Sequence, residues 1–432
     1  MDFKSFYASV ECVDRGLDPM RARLVVADPE RSHTTICLAV SPALKALGVK
    51  NRCRVFDIPE RIDYVMARPR MRRYMEVSAS IYALYLKRVS AQDVHVYSID
   101  ECFIDATPYL RLYHTDARSF ARALMGDVRR ETSIPATAGI GTNLFLAKVA
   151  LDVCAKHAPD GIGQLDEASF KRDIWFHRPI TDIWGIGPGI ARRLEKYGAR
   201  DLAGVAALRE ETLYREFGVN AEFLIDHAWG QEPCTIAEIQ SYVPEGRSMT
   251  NGQVLPSDYS FDEARMVLRE MIDASVLELV ESHQVADRIS LFIGYARDKS
   301  IPRDTETFEG GHGARPLNGY GGEHTGGMRS LGQKTNSRRI LVKNFLALFD
   351  ETTRQDTPIR RINIGISGLA PEDSVPLTLF DNAEDVAKER RMQEAIAGIR
   401  GKFGKNAMLK GTSLQEKATA RERNNQIGGH RA

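Results

Sequence analysis

The stretch from Val94 to Asp105 constrains the fold more than any other. Two short β-forming runs, Val94 to Tyr97 and Cys102 to Asp105, flank Ser98-Ile99-Asp100-Glu101, so the segment reads as a tight hairpin with adjacent carboxylates at its tip. Such neighbours repel unless cations neutralise them. A third carboxylate, Asp2, heads the string Met1-Asp2-Phe3-Lys4-Ser5-Phe6-Tyr7-Ala8-Ser9-Val10-Glu11, where a strand end turns into a helix. Oxygen ligands select magnesium or manganese over zinc. Two such ions, held by Asp2, Asp100 and Glu101, can clamp the attacking and leaving oxygens of a phosphoryl transfer. The backbone N–H groups of Phe6 and Tyr7, at a helix start, can hold a triphosphate. Taken alone, the hairpin is a solvated acidic turn and the two aromatics are core. Asp105, on the next strand, reads as a structural hydrogen-bonding residue.

The remaining chain supplies context. Its 432 residues suggest two to four domains, and its net charge of +1 says nothing about partners, so local patches must be read instead. No apolar run is long enough to span a bilayer and no signal peptide is apparent, which points to a cytoplasmic protein without a membrane partner. Six cysteines, Cys12, Cys37, Cys53, Cys102, Cys154 and Cys234, are scattered with no CxxC pair, as suits reduced thiols rather than disulfides or zinc. Strands are expected at Arg23–Ala27, Thr35–Val40 and Ala136–Gly141. Helices are expected at Ser41–Leu47, closed by Gly48, from Pro69 to about Val89, at Thr115–Glu131, and from Asn143 to about His157. Residues 169–230 read as a separate all-helical module and 241–256 as a linker or edge strand. An amphipathic helix over 260–281 precedes strands at Arg288–Ala296, Arg338–Val342 and Arg360–Ser367, with a glycine-rich loop across 310–322. A helix over about Ala383–Arg400 leads into a polar, basic tail.

Three further patterns bear on nucleic acid. Ile183-Trp184-Gly185-Ile186-Gly187-Pro188-Gly189-Ile190-Ala191-Arg192-Arg193-Leu194 has the form of a helix-hairpin-helix. Gly185, Gly187 and Gly189 permit a tight turn that brings backbone N–H groups to phosphate oxygens. Lys334, Arg338, Arg339, Lys343, Arg360 and Arg361 are expected on the strands of the last folded domain, where a basic sheet face can follow template phosphates. Pro376-Leu377-Thr378-Leu379-Phe380 has the anchor spacing of a peptide that docks in a groove.

Together these strings resemble the Y-family, UmuC/DinB-like DNA polymerases over nearly the whole chain. The carriers are D-F-K-S-F-Y-A-S-V-E at 2–11, A-L-G-V-K at 46–50, Y-S-I-D-E at 97–101 and A-G-I-G-T-N-L-F-L-A-K at 138–148. The terminal A-T-A-R-E-R-N-N-Q-I-G-G-H is similar to the Gram-positive UmuC/UvrX-like branch. The resemblance implies an α+β multidomain right hand: palm (1–12 and 73–165), fingers (13–72), helix-hairpin-helix thumb (166–240), α/β little finger (241–370) and a tail (371–432). It implies that Asp2, Asp100 and Glu101 are catalytic and bind two magnesium ions, manganese being able to substitute, with the Phe3 carbonyl completing a site. It implies that Tyr7 is the steric gate against a ribose 2′-OH, and that Phe6, Lys45 and Lys148 serve the nucleotide. Gly185, Gly187, Gly189, Arg338, Arg339 and Arg360 would hold DNA, and Leu377, Leu379 and Phe380 a sliding clamp. The implied activity is low-fidelity translesion synthesis in DNA damage repair and the SOS response, by a monomer acting on primer-template DNA and dNTP, without proofreading.

This chain departs from the family pattern in two places. Pro42 and Lys45 replace the Tyr-x-x-Arg pair that touches the triphosphate in many relatives, so Lys45 keeps a charge but loses the planar fork. Relatives also carry an apolar strand segment ahead of the first aspartate. Here only Met1 precedes Asp2, which places Asp2 on a terminus expected to fray. The alternative is then a catalytically impaired DNA- and clamp-binding accessory protein. A nucleotide cyclase would share the two-metal palm but needs no duplex grip.

Overall fold

A computed structural model describes residues 1–30, 35–244, 246–296, 323–374 and 383–432. The chain forms two compact units, Met1–Tyr242 with His430–Ala432, and Val243–Gly429.

In the first unit, β1 (Asp2–Phe3) leads through Ser5, in the left-handed region at φ 49°, into α1 (Phe6–Asp14). Strands β2 (Leu24–Val26), β3 (Ala39–Val40) and β4 (Val65–Ala67) form a small sheet in the order β3-β2-β4, with α2 (Pro42–Ala46) after β3. Gly48 follows at φ +87°, the C-terminal stop its sequence position suggested. Helix α3 (Met71–Tyr85) buries Tyr74, Val77, Ile81 and Tyr85, a three-to-four-residue spacing that gives one apolar face. The hairpin β5 (Val94–Val96) and β6 (Cys102–Ile104) follows, then α4 (Thr107–Leu112) and α5 (Ala117–Thr132). The side chain of Asp116 caps α5 by accepting from the Ser119 N–H, a contact worth about 1 kcal/mol.

Strands β7 (Ala136–Gly141) and β8 (Ile162–Leu165) complete a sheet in the order β1-β7-β8, β1 antiparallel to β7 and β7 parallel to β8. Phe3, Phe6, Val10, Tyr74, Ile81, Phe120, Leu124 and Val128 form the core between this sheet and its helices. Helix α6 (Leu144–Val149) continues through 150–154 with wider winding. Beyond it come α7 (Glu167–Asp173), α8 (Pro188–Glu195), α9 (Leu202–Ala206), α10 (Glu210–Phe217), α11 (Ala221–Ala228) and α12 (Ile236–Ser241). The stretch is helical as its composition suggested, but it shares one core with α6: Phe145, Leu146 and Val149 pack with Phe170, Leu194, Leu202 and Leu224.

The second unit is an antiparallel sheet in the order β11-β10-β12-β9, built from β9 (Ser248–Tyr259), β10 (Gln284–Tyr295), β11 (His324–Thr335) and β12 (Ile359–Ser367). Helices α13 (Phe261–Glu281) and α14 (Arg338–Thr352) cover one face, burying Leu268, Ile272, Phe345 and Phe349 against Ile289, Ile293, Ile362 and Ile364. The segment 338–342 is therefore helical, not the strand its aliphatic run suggested. Ser337 caps it by accepting from the Ile340 N–H, and Leu341, Phe345 and Phe349 recur every four residues, a period that five residues cannot reveal. Helix α15 (Ala383–Phe403) packs on α13. The tail behind it is docked: the Thr419 and Ala420 N–H groups donate to Glu270 at 2.9 and 3.1 Å, and Arg423 donates to Asn251 at 2.6 Å. The glycine-rich loop at 310–322 and the Leu377, Leu379, Phe380 segment lie outside the described residues. No helix among the described residues is long and apolar enough to cross a membrane.

Candidate active site

The β5–β6 turn is closed by backbone bonds onto one carbonyl. The Tyr97 and Ser98 N–H groups both donate to the Glu101 C=O, at 3.0 and 3.1 Å, and Ser98 Oγ donates to Asp100 Oδ1 at 2.8 Å. Asp2 pairs across an antiparallel bridge with Glu101. The first residues are stitched in rather than frayed. The Met1 ammonium donates to the Cys102 C=O at 3.0 Å, the Cys102 N–H to the Met1 C=O at 3.1 Å, and the Phe3 N–H to the Asp100 C=O at 3.2 Å. On its other edge β1 pairs with β7, Asp2 opposite Thr137. A two-residue strand held on both edges has no freedom to fray, which removes the ground for the impaired-accessory reading.

Three carboxylates thus converge from two distant segments. Burial first, then the charges of Glu101 and Asp100, push the Asp2 carboxyl up to about 7. Among the described residues no three His, Cys, Asp or Glu side chains already stand as a metal-ligand set. Both Glu101 carboxylate oxygens accept from Lys148 Nζ at 2.9 Å. The donor chemistry still fits a hard divalent cation: three carboxylates whose mutual repulsion raises the Asp2 pKa, a repulsion that a bound cation would relieve.

Lys148 is 6% exposed, rare for a lysine unless it is paired. Burial alone would lower its pKa, but the bonds to Glu101 and Asp152 outweigh that and raise it. Two glycines place it there. A Cβ on Gly139 would sit 2.1 Å from the Ala147 carbonyl oxygen, and one on Gly141 2.1 Å from the Ala147 nitrogen, so α6 lies directly against β7 only because both are glycine. Asn143 then caps α6 by accepting from the Leu146 N–H at 2.8 Å.

Tyr7, at the start of α1, stacks on Tyr74 with centroids 4.4 Å apart and planes 14° apart, while Phe6 is buried behind it. Burial, then the nearby Asp100 charge, raises the Tyr7 pKa against a lowering effect of Arg52. Tyr74 is itself fixed: its hydroxyl donates at 2.8 Å to Glu11, a fully buried carboxylate also bonded by Arg70 at 2.9 Å and by Arg15. Lys45 is exposed on α2. Desolvation lowers its pKa against the raising effect of the Asp2 charge.

A model of the impB/mucB/samB family matches residues 1–152, and that of the family's C-terminal domain matches residues 247–379. The UV-damage repair protein UvrX of Bacillus subtilis (strain 168) is 31% identical over 435 residues, across 100% of this chain and 97% of that protein. DNA polymerase IV 2 of the same organism shows the same identity and coverage. The chain belongs to the Y family of DNA polymerases. It is thereby a DNA-directed DNA polymerase, and enzymes of its family depend on divalent metal ions. A Y-family DNA polymerase chimera shares the fold with a TM-score of 0.60 at 19% identity, covering 85% of this chain and 97% of its own.

The other candidate residues of this polymerase fall in two groups. Gly185 and Gly187 form the turn into α8, with Gly185 at φ +83° and Gly187 at its N-cap, and Gly189 lies in the first turn of the helix. Ile183 and Ile186 anchor the turn in the core, leaving its backbone toward the surface. Arg338 and Arg339 do not lie on the sheet. They open α14, where Arg338 Nε donates to Asp273 of α13 at 2.5 Å, a structural ion pair on the covered side of the sheet. Lys343 is on the same helix, while Lys334 and Arg360 are on strands, Arg360 lying 3.8 Å from Asp258.

The opposite sheet face is a shallow groove of about 560 Å³ lined by Thr250, Gly252, Ser290, Phe292, Met328 and Gly365. Arg361 lies over the Phe292 ring at 6.0 Å. Sequence reading missed Tyr74, Arg52 and Trp184 as neighbours of the site. Only Tyr74 carried a signal, since an aromatic on a buried helix face opposite Tyr7 invites stacking.

Proposed function

We propose that this polymerase carries out template-directed nucleotidyl transfer at Asp2, Asp100 and Glu101, and copies damaged templates with low fidelity. The convergence of those carboxylates from β1 and the β5–β6 turn carries the reading. The primer 3′-hydroxyl attacks the α-phosphorus of a deoxynucleoside triphosphate, the α–β anhydride bond breaks, and pyrophosphate leaves. The three carboxylates and the Phe3 carbonyl would hold a pair of magnesium ions, which would supply the positive charge that lowers the pKa of the attacking hydroxyl and neutralises the leaving oxygens.

The protein's own residues do the rest. The first N–H groups of α1, at Phe6 and Tyr7, face phosphate oxygens. Lys148 and Lys45 bring positive charge to the triphosphate. The Tyr7 ring, backed by Tyr74, excludes a ribose 2′-OH. The glycine turn before α8 holds the duplex by its phosphates, and the open face of the second unit follows the template. Residues 1–12 with 73–165 serve as palm, 13–72 as fingers, 166–240 as thumb and 241–370 as little finger, with a clamp-binding peptide at Leu377–Phe380 in the tail.

The UV-damage repair name of the 31% identical relative supports the lesion-bypass part. Primer extension over an abasic template tests it. Wild type extends only when a divalent cation, magnesium or manganese, is added, and Asp100→Ala binds the primer-template without extending it. Extension by Asp100→Ala, or none by wild type past the lesion, would overturn the proposal.

A further inference from the structure

We propose that Trp184 and Tyr97 are positioning residues that couple the glycine turn before α8 to Glu101, so that the grip on the duplex sets the geometry of the reacting end. The inference rests on the polymerase reading above and deepens it.

Trp184 lies inside the turn, between Ile183 and Ile186, which are 2% and 3% exposed. The Ile186 N–H donates to the Ile183 C=O at 3.1 Å, so the indole moves with the turn. Its far face stacks near His227 at 6.0 Å, and His227 stacks on Phe145 of α6 at 4.0 Å. On the other side Trp184 Nε1 donates to the Tyr97 hydroxyl at 3.1 Å, with the rings edge-on at 6.0 Å. Phe103 of β6 closes a triangle, 5.8 Å from Tyr97 and 6.2 Å from Trp184.

Tyr97 in turn holds Glu101 twice. Its backbone N–H donates to the Glu101 carbonyl at 3.0 Å. Its ring face receives Lys148 Nζ at 5.8 Å, within cation–π range, and that ammonium carries the Glu101 carboxylate. A displacement of the turn is therefore transmitted through one hydrogen bond and one aromatic edge to both the backbone and the counter-ion of Glu101. The interaction is local and directional, so it acts on the arrangement of the reacting groups rather than on nucleotide contact.

The test uses Trp184→Phe, which keeps a ring but removes the N–H donor, Tyr97→Phe, which removes the acceptor, and the double variant. Each is purified as the full chain and assayed with a matched primer-template and magnesium. Each single variant should lose about fivefold in kcat, the rate equivalent of one neutral hydrogen bond. The double variant should lose no more than either single, because both delete the same link. KM for the dNTP and affinity for the primer-template should stay at wild-type values, which a merely structural role would not predict, and any fall in Tm should stay within the roughly 2–4 °C that one neutral hydrogen bond supports. The proposal is overturned if kcat is unchanged, if the two losses multiply in the double variant, or if the loss of kcat comes with a larger fall in Tm. If wild type itself fails to extend a matched primer, the polymerase reading fails instead.

Discussion

Tyr74 is the residue whose replacement best separates folding from sugar selection. It is fully buried, its ring lies flat against Tyr7, and its hydroxyl is one of the donors on buried Glu11. Tyr74→Phe keeps the stack and removes that donor. A hydrogen bond to a charged group contributes about 1.5–3 kcal/mol, and because Arg15 and Arg70 still hold Glu11 the lower end applies, about 1.5 kcal/mol. For a unit of this size that lowers Tm by roughly 3–6 °C. Discrimination between deoxy- and ribonucleotide should not change. Tyr74→Leu removes the flat ring, and with it the roughly 1 kcal/mol an aromatic pair adds beyond burial. If that energy fixes the gate ring, preference for dNTP over rNTP should fall about fivefold. Single-nucleotide insertion kinetics with paired deoxy- and ribonucleotides, alongside melting curves, measure both effects, with Tyr7→Ala as the fully opened gate. A folded Tyr74→Leu variant with the wild-type preference would refute the argument.

Three other outcomes follow from contacts elsewhere. Burial lowers the His227 pKa below the ordinary 6.5 despite Glu232 beside it, so the unfolded chain takes up the proton first. Stability of the first unit should hold above pH 6.5 and decline as pH falls below it, and Tm against pH should lose that component in His227→Phe. Arg361→Ala, on the open sheet face, should reduce the salt slope of DNA binding by about 1, whereas Arg338→Ala, whose guanidinium is held with Lys410 on Asp273 on the helix-covered side, should leave the slope unchanged. Gly326→Ala should destabilise the second unit by about 2 kcal/mol or more, seen as an earlier melting transition, because a Cβ there meets the Leu291 carbonyl oxygen at 2.0 Å and φ is +131°.

Much of this protein was legible along the chain because its signals are local. A hairpin with two carboxylates at its tip, a glycine stop after a five-residue helix, and glycines spaced for a tight turn each depend on residues within reach of one another. The assignment of 338–342 failed for the same reason: only the longer period through Phe349, with the cap at Ser337, separates helix from strand. Arg338 thereby moved from a strand to the start of a helix, where it pairs with Asp273.

What the sequence determined by itself is the set of chemical groups: three acidic side chains, a tyrosine at a helix start, lysines beside them. What only the tertiary structure decided is which of these are held and by what. Asp2 is fixed because strands on both sides pair with a segment too short to fold alone. Lys148 is buried on Glu101 because two glycines let a helix rest on a strand. Those are properties of long-range packing, in which the partners are about 100 residues apart for Met1 and Cys102, and about 50 for Glu101 and Lys148, and no window along the chain contains them.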